Sequence, residues 1–152
     1  MDAGVGKPAM ATLRIYGLYD PKMRELVVEL RHFLRVLAPK SVQATWTVSA
    51  VKSSEPGRQW FDATGDGGEE LEALARDNAK VSGPVLAALA EATDQVIWGE
   101  FTGRFPTETD RDWIVIRAVD SSFYEVTTLD DTAIGKIRAA FKDVRSADEP
   151  FA

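Results

Sequence analysis

Cysteine is absent from the 152-residue chain, and histidine occurs once, as His32. The first absence excludes disulfides, thiolate zinc sites, iron–sulfur clusters and a cysteine nucleophile. The second excludes His-rich metal sites and leaves a single imidazole for any Ser–His pair. No run approaches the roughly 18 apolar residues of a membrane span. Residues 1–11 also lack the apolar stretch of about 7–15 residues that a secretory signal carries. A cytoplasmic protein that does not bind membranes is the expectation. Gly4-Val5-Gly6-Lys7 resembles the tail of a phosphate-binding loop. It has no glycine five residues before Gly6, is followed by Pro8, and follows no strand. The glycine-flanked serine elbow is missing as well, as are repeats and low-complexity segments.

What remains is an ordinary globular composition, 45% hydrophobic and 28% charged. Its length suits one domain. The expected division is a disordered N-terminal tail over 1–11, one domain over 12–145 and a C-terminal tail over 146–152.

Thr12 to Leu18 reads as a strand, with Asp20 and Pro21 as cap and first residue of a helix. Met23, Leu26, Val27, Leu30, Phe33, Leu34 and Leu37 recur every three or four residues, so that helix should run to just before Pro39. From Val42 to Ala50 apolar and polar residues alternate, the period of a half-buried strand. Ser53 to Gly57 is a turn cluster from which Arg58 to Ala63 can return as a hairpin arm. Helices are expected over Glu69–Asn78 and Val85–Ala92, separated by Gly83-Pro84. Gln95 to Gly103, Asp112 to Val119 and Phe123 to Thr128 suit an antiparallel meander. Asp130 or Asp131 should cap a last helix with Ile134, Ile137, Phe141 and Val144 on its buried stripe. The order β-α-β-β-α-(α)-β-β-β-α predicts an α+β fold, an antiparallel or mixed sheet covered by helices. Its first six elements follow the ferredoxin-like order, with a β-β-α unit appended.

Candidate chemistry is sparse. Helical rotation places His32 beside Glu25, Glu29 and Arg35 on a solvated face. Asp62, Thr64, Asp66 and Gly67 have the spacing that opens a calcium loop. The bidentate acid belongs at Ala73, so only a looser site using Glu69, Glu70 or Glu72 stays open. Capping acids in a Gly-rich turn are the simpler account. Trp46, Trp98 and Trp113 sit in strand candidates and are expected in the core. Trp60 and Phe61 are adjacent on an extended segment and so point to opposite sides.

The formal charge of −6 hides an imbalance, with residues 22–58 at +4 and residues 59–152 at −10. The basic portion lacks interleaved aromatics and the molecule as a whole repels phosphate, so nucleic acid is an unlikely partner class. An acidic surface instead steers toward a basic protein. The leading expectation is a non-enzymatic interaction module, inhibitor-like or immunity-like, needing no cofactor and no metal. Its expected contacts are Trp60, Asp62, Asp66, Glu69 and Glu70, joined by Glu108, Asp110 and Asp112 from the meander loop. The alternative is a small-molecule-binding or hydrolytic domain whose Glu100, Asp112 and Glu125 line a cleft between sheet and helices.

Overall fold

The computed structural model describes residues 10–17, 19–20, 25–26, 28–52, 57–108 and 110–151. In chain order its elements are β1 (Ala11–Ile15), β2 (Tyr19–Asp20), β3 (Glu25–Leu26), α1 (Leu30–Val36), α2 (Lys40–Gln43), β4 (Thr45–Ser49), β5 (Val51–Lys52), β6 (Gln59–Trp60), β7 (Asp62–Thr64), α3 (Asp66–Arg76), β8 (Lys80–Ser82), α4 (Gly83–Glu91), β9 (Gln95–Arg104), β10 (Ile114–Val119), β11 (Phe123–Thr128), α5 (Asp131–Ala140) and β12 (Val144–Ala147). The fold is α+β, as the alternation of patterns implied. Seven strands form one antiparallel sheet in the order β12-β1-β11-β10-β9-β4-β8, and β7 joins it by pairing with β9.

The ferredoxin-like start does not form. β1 lies between β11 and β12, so neither β7 nor β9, the later strands that flank the first in a ferredoxin-like sheet, pairs with it. The three meander strands themselves pair in sequence, as their spacing predicted. Asp120 and Ser121 both take positive φ at the β10–β11 turn, the mirror-type turn whose twist suits a hairpin.

Two helix expectations need correction. α1 begins at Leu30, ten residues after the expected cap Asp20, which instead pairs with Glu25 across the β2–β3 hairpin. Pro21, Met23 and Val27, which carried the early part of that expectation, lie outside the described residues. The last helix stops at Ala140. Phe141 turns extended, and Val144 joins β12 against Ile15 of β1. Both residues still reach the core, so the apolar spacing marked burial correctly and the element wrongly. Ser146 and Ala147, assigned from sequence to the C-terminal tail, belong to β12. At the other end Ala11 is already in β1, and residues 1–9, the rest of the expected N-terminal tail, lie outside the described residues. The strand read from Val42 is also shorter than expected, since Val42 sits exposed in α2 and β4 starts at Thr45.

One face of the sheet presents Leu13, Ile15, Trp46, Val48, Phe101, Ile114, Ile116 and Val126. Leu30, Phe33, Leu37, Leu71, Leu86 and Ile137 from the helices complete a single core with them. Trp46 and Trp113 meet edge-on within it, their rings 6.0 Å apart. The Asp130 carboxylate caps α5 through Oδ1, which accepts from the backbone N–H of Thr132 and Ala133. Burial would raise its pKa, but hydrogen bonds from Lys40 and Trp113 Nε1, the cap itself and the Lys40 charge outweigh that and hold it below the ordinary value.

Glu29 departs most from the expected pattern. It stands at the N-cap of α1, outside the helix whose rotation would have exposed it, and only 2% of its surface is accessible. Its Oε1 accepts from the Val96 backbone N–H at 3.2 Å and from the Tyr124 hydroxyl at 3.1 Å. The buried Tyr124 phenol is pushed well above its ordinary 10.0, first by burial and then by the Glu29 charge. Unfolding releases that phenol to ionise near its ordinary pKa, so stability should fall as pH rises past about 10. Urea unfolding between pH 8 and 11 should show the decline, and Tyr124→Phe should flatten it. An equal alkaline slope in the variant would contradict this role for Tyr124.

Candidate functional site

His32 lies in neither expected contact region, and its surroundings differ from those read in the sequence. It is half-buried, and its Nδ1 accepts from the Glu29 backbone N–H at 2.9 Å, closing the first turn of α1. His32 is thus a helix-start residue, a role the expectation of a longer helix concealed.

The first group of expected contacts is built on β6, β7 and the start of α3. Gly65, with φ of +92°, turns the chain from β7 into the helix. Asp66 and Glu69 then occupy the first turn, where the positive end of the helix dipole favours acids. Asp62, Asp66, Glu69 and Glu70 are all exposed, and none forms an ion pair with a described residue. Asp94 joins them: its backbone N–H donates to the Thr64 carbonyl at 2.8 Å, which brings it beside Gly65. Chain distance hid Asp94 from the sequence reading.

Trp60 and Phe61 do point apart. Phe61 packs against Gly99 and Phe101 on the core side. Trp60 stacks on Trp98 with ring centroids 4.6 Å apart, and Trp98 meets Phe151 at 5.9 Å. Both tryptophans are half-buried, so Trp98 leaves the core expected for it. The register shift where β7 pairs with β9 accompanies that change of face.

The second group lies elsewhere. β7 pairs with β9 between Gln95 and Trp98, whereas Glu108, Asp110 and Asp112 follow the far end of β9 at Arg104. Ten residues of strand span about 33 Å. Glu108 is paired with Arg111 and Asp112 with Arg104, while Asp110 is exposed. The eight residues therefore form two surfaces, and only the first has all its carboxylates free of described ion pairs.

Glu100 and Glu125, expected with Asp112 in a cleft between sheet and helices, instead lie on the sheet face turned away from the core. Directly opposed residues in antiparallel strands share a face. The registers accordingly draw one row, Arg145–Arg14–Glu125–Arg117–Glu100–Ser49, across six strands. Arg117 donates from Nε to Glu100 at 2.6 Å and from its terminal nitrogen to Glu125 at 2.8 Å. Glu125, fully buried, also accepts from Arg14 Nε at 3.2 Å and from the Phe151 backbone N–H. Burial pulls the Arg117 guanidinium down, but the two carboxylates outweigh it and leave its pKa raised.

Among the described residues, no three acidic, His or Cys side chains come together to hold a metal ion, the Asp62–Glu72 segment included. No described helix is long and apolar enough to cross a membrane. No known family model matches the chain, and no curated protein or solved structure is measurably similar to it.

Proposed function

We propose that the protein is a non-enzymatic interaction module that docks a basic protein on the surface formed by β6, β7 and the start of α3. The observation that carries this reading is the set of exposed carboxylates at Asp62, Asp66, Glu69 and Glu70, free of described ion pairs and extended by Asp94. A partner's cations can engage them without breaking an internal pair, unlike Glu108 and Asp112. The half-buried Trp60–Trp98 stack supplies an aromatic anchor beside them, of the kind enriched at interface centres. Inhibitor-like and immunity-like proteins are the functional classes this chemistry suits. A cytoplasmic setting, with no nucleic-acid or membrane partner, belongs to the same proposal.

The test is capture from native lysate at low and high salt, repeated with Asp62→Asn, Glu69→Gln and Glu70→Gln combined. A basic protein should be retained at low salt, released by salt and lost with the triple variant. Capture that survives both salt and the variant would overturn the reading, as would failure to retain any basic protein.

A further inference from the structure

Beside the charged row described above, a second row crosses the same face of the sheet: Ala147–Thr12–Thr127–Val115–Thr102–Thr47–Lys80. Towards β8 this face opens into a groove of about 360 Å³, lined by Thr47, Ser49, Lys52, Asn78, Lys80, Glu100, Thr102, Arg104 and Asp112. That volume falls within the range of small-molecule sites, roughly 300–1,000 Å³.

The polar groups of the groove divide into two sets. The carboxylates are already fixed, Glu100 by Arg117 and by the Ser49 hydroxyl at 3.3 Å, and Asp112 by Arg104 at 2.6 Å. The side chains of Lys52, Lys80, Asn78, Thr47 and Thr102 engage no described residue. The groove therefore offers two ammonium groups, an amide and two hydroxyls to an incoming molecule. Its free charge is positive in a chain whose net charge is −6. Thr47 stands directly between Lys80 and Thr102 in the registers, so three of these donors share one rigid row.

Fixed carboxylates beside free cations suit a ligand that combines an anion with hydroxyl groups. The lysines would take a phosphoryl group as point charges. Glu100 and Asp112 keep lone pairs with which to accept from hydroxyls on the same molecule. We propose that this groove binds a small phosphorylated polyol, a sugar phosphate, free in solution. The same headgroup chemistry occurs on inositol lipids, but the negative net charge opposes approach to an anionic membrane.

The experiment is amide-resolved NMR titration of the whole chain with glucose 6-phosphate, glucose and inorganic phosphate. Glucose 6-phosphate should give saturable shifts at Thr47, Lys80 and Thr102 and bind more tightly than either fragment. Lys52→Gln and Lys80→Gln, both exposed and so harmless to folding, should each weaken binding about tenfold, the size of one lost charged contact. No saturable shift would overturn the site. Equal binding of inorganic phosphate would overturn the polyol assignment, as would shifts that persist in the double variant. Co-sedimentation with vesicles containing a phosphatidylinositol phosphate would overturn the free-ligand assignment, and its absence supports it.

Discussion

Arg117→Ala is expected to lower the unfolding free energy by about 3–5 kcal/mol, the cost of leaving a buried charge without its partner. Arg117 holds two carboxylates at once, and the Glu125 side chain has no exposed surface while that of Arg117 retains 17%. Without the guanidinium, Glu125 keeps only Arg14 at 3.2 Å and the Phe151 N–H. The Arg111–Glu108 pair gives the contrast, with side chains 61% and 50% exposed. Arg111→Ala should cost no more than about 1 kcal/mol, as exposed pairs do. Urea unfolding of the two variants measures the difference. Equal, small losses would mean that the buried row contributes no more than a surface pair.

Gly83→Ala should be comparably damaging, at about 3 kcal/mol or more, through overpacking. A Cβ built there stands 2.1 Å from the Val42 carbonyl oxygen and 2.6 Å from that of Ser41. Both obstacles are backbone, so relief requires α2 and α4 to move apart and to loosen the packing over Trp46. Gly135→Ala should have the opposite sign. No atom lies within 4 Å of its built Cβ, and the residue is in the interior of α5. Filling it should add about 0.5–1 kcal/mol by removing backbone freedom from the unfolded chain. Thermal melts of the two variants, moving in opposite directions, provide the check. A tolerated Gly83→Ala would show that the α2–α4 contact is soft.

Gly83 also illustrates how far the sequence could be read. Gly83-Pro84 reads as a break between two helices, whereas both residues open α4 and the strand β8 separates it from α3; the need for glycine arises from α2, some forty residues earlier in the chain. Local signals served wherever a local cause operates. The meander followed from three strand-like segments joined by short connections, and the α5 cap followed from an aspartate beside an apolar stripe. The same logic failed where distant contacts decide. Apolar spacing from Met23 to Leu37 suggested one long helix, whereas the observed helix starts beside Glu29, whose carboxylate is drawn inward by Val96 and Tyr124. For the candidate surfaces, exposure of the early acids was legible from composition. Their separation from Glu108–Asp112 was not, because it depends on the full length of β9. The groove on the sheet was partly foreshadowed by Glu100 and Asp112. Its lysines and threonines escaped notice because β4, β8 and β9 assemble it only through pairing.

That pairing has a consequence for how the chain reaches its fold. Arg14 in β1 meets Glu125 in β11 across 111 residues, and the other edge of β1 is taken by β12. During synthesis, therefore, the first strand has neither neighbour until nearly all of this sequence has been made. Leu13 and Ile15 must wait unpaired while the intervening helices form. Contacts this distant slow folding towards the millisecond-to-second range. The interval leaves an apolar strand accessible to chaperones, or to another unfinished chain.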